Sequence, residues 1–136
     1  MSAVFADTAF YVAITNIRDT WNLKANSLVA NLSDGIVTTE FILIEVGNFM
    51  RRSPEARIAY AEFMQAIRLD GNTKIVSASA DLFSQGIDLF TQRLDKQWSL
   101  TDCISFAVMK AMQISAALTS DRHFEQAGFV PLLVNA

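Results

Sequence analysis

Four acids stand where their settings suggest joint chemistry: Asp7, Glu45, Asp102 and Asp121. Asp7 directly follows the apolar run Val4-Phe5-Ala6. By itself it reads as a turn residue or a helix N-cap. Glu45 is more informative, because on a helix its i−4, i−3 and i+4 neighbours are Phe41, Ile42 and Phe49. A carboxylate on such a face is expensive unless paired, and acids are rarely buried otherwise. Exposure at the helix margin, or an ion pair with an arginine, is the alternative explanation. Asp102 lies three residues after Ser99, the spacing of a capping box with Asp in place of Glu or Gln. Asp121 follows the apolar run Ala116–Thr119 and is placed to N-cap the stretch carrying His123 and Phe124.

Each acid has a local explanation. Together they set three Asp at strand ends or helix starts and one Glu on an apolar helix face. Two ionised carboxylates about 5 Å apart repel by roughly 3 kcal/mol at an effective dielectric near 20. Four in one pocket would not stay charged together without a cation. Oxygen donors with no Cys or His cluster suit Mg²⁺ or Mn²⁺ better than zinc.

The elements that must position these acids alternate. Ala3–Ala6 reads as a buried strand ending at Asp7. A helix is expected over about Thr20–Asn31, a turn at Ser33-Asp34-Gly35 and a short strand at Ile36–Val37. Thr38 or Thr39 then N-caps a helix from about Glu40 to Arg51, closed by Arg51-Arg52 where the helix dipole favours cations. Ser53-Pro54-Glu55 opens the next helix, in which Tyr60, Phe63, Met64 and Ile67 form one apolar stripe, and Gly71 ends it. A weak strand follows at Lys74–Val76, then helices over Ala80–Leu94 and Thr101–Ile114. Strands at Ala116–Thr119 and Val130–Val134 flank a short helix near Arg122–Ala127. This alternation predicts an α/β fold with a parallel sheet covered on both faces, whose ligands bind beyond the carboxyl ends of the strands.

Composition narrows the class. The chain has 136 residues, 51% of them hydrophobic and 18% charged, with 5 Gly and 2 Pro, which excludes disordered and collagen-like chains. One Cys excludes a disulfide framework. Mean hydropathy is high at +0.26. Yet Glu45 interrupts Phe41–Met50, and Lys110 and Gln113 interrupt Ile104–Leu118, so no membrane span is expected. The opening MSAVFADTAFYVA lacks a basic start and carries Asp7, unlike a signal peptide. A single cytoplasmic domain over residues 1–136 is expected. With a net charge of −3, any nucleic acid would be met at a local site aided by bound cations.

Four segments now resemble, in order, the motifs of the PIN domain family of metal-dependent ribonucleases: VFADTAFYVA, TTEFILIEVGNFMRR, WSLTDCISFAVMK and ALTSDRHFEQAGF. The ordered set spans essentially the whole chain and looks most like small stand-alone members, including VapC-type toxins. The resemblance implies a three-layer α/β/α sandwich with a central parallel β-sheet. It implies Asp7, Glu45, Asp102 and Asp121 as catalytic ligands of Mg²⁺ or Mn²⁺, and hydrolysis of RNA to 5′-phosphate and 3′-hydroxyl ends. Thr8, Thr119 and Ser120 would orient carboxylates or water. A toxin of a type II toxin–antitoxin pair, an antitoxin protein as partner and a homodimer are further implications.

The chain is less basic than many toxin-type members. Arg51, Arg52, Lys110, Arg122 and His123 are the candidates to meet phosphates. His123 itself reads as exposed or supporting, Cys103 as a small buried hydrophobe, and Trp21, Trp98 and the phenylalanines as core. The apolar helices Glu40–Arg51 and Ser53–Ile67 suggest a groove for a second copy or an antitoxin segment. Competing enzymes lack required residues. A haloacid-dehalogenase-type phosphatase needs a second Asp where Ala9 stands, a response-regulator receiver needs an Asp near Lys74–Ser79, and a dinucleotide fold needs G-x-G-x-x-G. The remaining alternative is a non-catalytic or RNA-surveillance PIN-fold binding module.

Overall fold

A computed structural model describes residues 2–134. Strands β1 (Ala3–Ala6), β2 (Gly35–Thr39), β3 (Thr73–Val76), β4 (Ala116–Leu118) and β5 (Val130–Pro131) form one sheet in the order β3-β2-β1-β4-β5. Every pairing is parallel. The helices are α1 (Thr8–Thr15), α2 (Asn22–Ala30), α3 (Glu40–Phe49), α4 (Pro54–Leu69), α5 (Ala80–Gln92), α6 (Leu100–Ala111) and α7 (Arg122–Gln126). This is the α/β/α sandwich with a central parallel sheet that the motifs implied. No described helix is long and apolar enough to cross a membrane.

The sheet grows outward from β1 in both directions, with β2 on one side and β4 on the other. A crevice therefore opens at the carboxyl ends of β1 and β4, the usual ligand position in such sheets. Register sets what meets there. Ala6 pairs with Leu118, so the next residues on the two strands, Asp7 and Thr119, emerge side by side.

Local signals held where neighbours three residues apart decide them. The Thr39 hydroxyl accepts from the Ile42 amide and starts α3. Ser53 caps α4 with Pro54 in its first turn. Ser99 and Asp102 form the expected capping box of α6. Other boundaries moved. Helix α3 stops at Phe49, and Arg51 lies beyond it, where its Nη1 donates to the Asn48 carbonyl at 2.7 Å. The arginine satisfies an orphan helix carbonyl directly instead of extending the helix. Helices α2, α5 and α6 are shorter than the sequence suggested, and β5 covers only two residues of the expected Val130–Val134. Beyond Pro131 the chain turns, although the Leu132 and Leu133 amides still donate to the Ala117 and Thr119 carbonyls.

Helix α1 had no counterpart in the sequence expectations. Its residues TAFYVAIT are nearly all apolar, so no helical stripe stands out, and Phe10, Tyr11, Val12 and Ala13 are buried. Between α5 and α6 the backbones approach closely, since a Cβ added at Gly86 would collide with Ile104 Cγ1. Aromatic packing seats the last helix: Phe124 meets Phe106 edge-on at 4.9 Å, and Phe106 meets Trp98 at 5.1 Å.

Candidate active site

Asp7 ends β1 and stands at the N-cap of α1, but its side chain makes no capping bond. The carboxylate is free to face the crevice. It is only 6% exposed and accepts from the Thr119 hydroxyl at 2.7 Å. Burial pushes its pKa from 3.8 up to about 7; the Thr119 hydroxyl opposes the rise, and the neighbouring Asp102 and Asp121 add to it.

Helix α3 brings Glu45. Its buried face is Ile42, Leu43 and Val46, whereas Phe49 is 56% exposed. Glu45 thus sits half-buried at the helix margin and not in the core, as the neighbouring-residue pattern had left open. The Thr8 hydroxyl donates to Glu45 Oε1 at 2.6 Å and fixes its direction.

Asp102 is set by its own capping box: its amide donates to Ser99 Oγ at 3.0 Å and its Oδ2 accepts from the Ser99 amide at 3.2 Å. Burial and then the charge of Asp121 raise its pKa, against the Ser99 amide and His123. Asp121 caps α7 by accepting from the His123 amide at 2.9 Å. His123 Nδ1 lies 3.2 Å from Asp102 Oδ2 and 3.4 Å from Asp121 Oδ1. These three residues form the tight group, with ligand atoms all within 4.8 Å of one another.

All four acids line one cavity of about 500 Å³ together with Thr8, Ser120, His123, Asp19, Trp21 and Phe49. Asp7 and Glu45 face this cavity from outside the tight group of Asp102, Asp121 and His123. No Lys or Arg lines it among the described residues. Of the expected supporting hydroxyls, Thr8 and Thr119 bind carboxylates; Ser120 lines the cavity with no hydrogen bond to one. Asp19 carries no mark in the sequence that sets it in the site, and Trp21, expected in the core, is half-buried and lines the cavity. Asp19 Oδ1 accepts from the Trp21 amide at 2.8 Å, so its sequence signature is that of an ordinary turn acid. A larger cavity of about 600 Å³ beside Trp98 and Phe106 contains none of the four acids.

No family model matches the chain. It is 32% identical over 127 residues to the 23S rRNA-specific endonuclease VapC20 of Mycobacterium tuberculosis, in strains CDC 1551 / Oshkosh and ATCC 25618 / H37Rv. The match covers 93% of this chain and 95% of those relatives. The fold is similar to the crystal structure of Mycobacterium tuberculosis VapC20, described as a sarcin-ricin loop cleaving toxin, with a TM-score of 0.83 and 31% identity over 93% of this chain and 96% of that one. Kinship of this extent, on a parallel sheet whose strand ends collect the expected acids, carries one conclusion: the chain belongs to the PIN-domain family, among its VapC-type toxin endoribonucleases.

Proposed function

We propose that this protein is a Mg²⁺- or Mn²⁺-dependent endoribonuclease that hydrolyses RNA phosphodiester bonds as the toxin of a type II toxin–antitoxin pair. One observation carries the reading: Asp7, Glu45, Asp102 and Asp121, from separate parts of the chain, line a single cavity with no Lys or Arg in its wall among the described residues. The donor set fits a hard divalent ion. Burial penalises the Asp7 and Asp102 carboxylates, the charges of neighbouring acids add to the penalty, and no protein ammonium or guanidinium in the cavity wall offsets it.

Asp7, Glu45, Asp102 and Asp121 are the residues that would hold the ion, with His123 a further donor beside Asp102 and Asp121. When bound, a divalent ion there polarises the phosphate and lowers the pKa of the attacking water. Thr119 keeps Asp7 turned into the cavity and Thr8 does the same for Glu45. Both hydroxyls reduce the freedom of a carboxylate that must otherwise be ordered by the ligand itself.

The substrate class is a structured RNA loop. The supporting observation is near-full-length kinship with proteins named for 23S rRNA and the sarcin-ricin loop. An antitoxin segment is the regulating partner and a homodimer the working form. Ile44, Ile58 and Leu69 on α3 and α4 are 57%, 61% and 78% exposed, which supports a protein surface covering these helices.

The test is cleavage of a sarcin-ricin stem–loop RNA with Mg²⁺ or Mn²⁺, against EDTA and against Asp7→Asn. Metal-dependent cleavage lost in the variant is expected. Equal cleavage by both proteins, or none with either metal, overturns the reading.

A further inference from the structure

A second cavity, of about 450 Å³, adjoins the acid cavity and shares Thr8, Glu45 and Phe49 with it. Its remaining lining residues are Asn48, Arg51 and Arg52. The two cavities meet across Phe49, which is 56% exposed. Cavities of this size are in the range that holds small ligands and single nucleotides.

The charge contrast between the two is large. The acid cavity has no Lys or Arg in its wall, while the corner between α3 and α4 places two arginines beside the shared glutamate. Neither forms an ion pair among the described residues. Arg51 Nη1 is held on the Asn48 carbonyl at 2.7 Å, which orders the guanidinium and leaves its other N–H groups for a ligand. Arg57 Nε donates to the Arg51 carbonyl at 3.0 Å and brings a third cation to the same corner. Planar guanidinium forks suit phosphate oxygens, and an exposed ring beside them suits an unstacked base.

We propose that this corner seats the RNA strand next to the bond that is cut, with Arg51 and Arg52 on backbone phosphates and Phe49 stacked on an unpaired base. The inference rests on the ribonuclease reading above and adds to it the path of the substrate. A chain of net charge −3 with an acidic pocket needs a local cationic landing for a polyanion, and this corner is next to the pocket.

The experiment uses a labelled sarcin-ricin stem–loop RNA. Binding is measured in EDTA over a salt series, and cleavage is measured separately with Mn²⁺. Arg52→Gln should lower the slope of log K against log salt by about 0.7, the value for one lost phosphate contact on a single strand. It should raise KM and leave kcat in place, because the contact is uniform through the reaction. Phe49→Leu should weaken binding roughly 5- to 150-fold, and Phe49→Trp should restore it. Arg93→Gln, which removes a positive charge already paired with Asp95, serves as the charge control. If Arg52→Gln changes the slope no more than Arg93→Gln, or if Phe49→Leu binds as the parent does, the corner is not the RNA seat. Loss of cleavage in the parent protein alone would strike the nuclease reading and leave the binding arms to decide this one.

Discussion

The Thr119 hydroxyl donates to Asp7 Oδ2 at 2.7 Å, joining residues 112 positions apart in the chain. Thr119 Oγ1 in turn accepts from the Asp121 amide at 3.0 Å. One side chain therefore directs the acid of the first strand and holds the backbone that presents the acid after the fourth. The link is a product of parallel register, which pairs Ala6 with Leu118 one step earlier.

Thr119→Val keeps the shape and removes the donor. Asp7 is then buried without its hydroxyl partner, and Mn²⁺ affinity and RNA cleavage should fall about 10- to 100-fold. Thr119→Ser should keep most of both. Calorimetric titration of Mn²⁺ reads the first and the cleavage assay the second; unchanged affinity in the valine variant would contradict the role.

Thr8→Val removes the corresponding bond to Glu45. Glu45 is only half-buried, so water can replace the lost donor. The loss in Mn²⁺ affinity should be smaller than for Thr119→Val. A larger loss would mean that Glu45 contributes more to the site than Asp7.

Stability of the metal-free protein should carry an inverted carboxylate signature. Asp7 has its ordinary value of 3.8 in the unfolded chain and about 7 in the folded one. Between those values the folded state binds more protons than the unfolded state, so this group's contribution falls as pH rises through the window. Below 3.8 the acid is protonated in both states and the penalty vanishes; above about 7 it is complete. Thermal melts in EDTA should show the parent protein losing stability relative to Asp7→Asn across that window. A difference that grows in the opposite direction would show the carboxylate to be stabilised in the fold.

Gly86→Ala should destabilise the protein without altering the site. The added Cβ runs into Ile104 Cγ1 near the root of that side chain, which has little room to move. Overpacking of this kind costs about 1–3 kcal/mol, against a helix-propensity gain of roughly 1 kcal/mol. A lower melting temperature with unchanged cleavage per folded molecule is expected. An unchanged or higher melting temperature would mean that α5 and α6 separate easily.

Much of the candidate site is legible because its members leave local marks. Asp102 and Ser99 announce themselves as a capping box, and Asp121 as a cap, through hydrogen bonds between residues two or three apart. His123 reads in the sequence as exposed or supporting, and its placement against Asp102 and Asp121 depends on the edge-on contact of Phe124 with Phe106, which no local pattern records. Asp19 looked like a turn acid and is one, yet the turn also sets it in the cavity wall.

The sequence by itself determined the acids, their order along the chain and most helix starts, because those depend on side-chain chemistry and on partners a few bonds away. It left α1 unseen, since a segment that is apolar at nearly every position shows no periodicity. Only the tertiary structure decided which acids converge, which hydroxyl serves which carboxylate, and that two arginines beyond α3 stand beside the pocket. Those outcomes follow from strand register and helix packing, where elements distant in the chain set each other's positions.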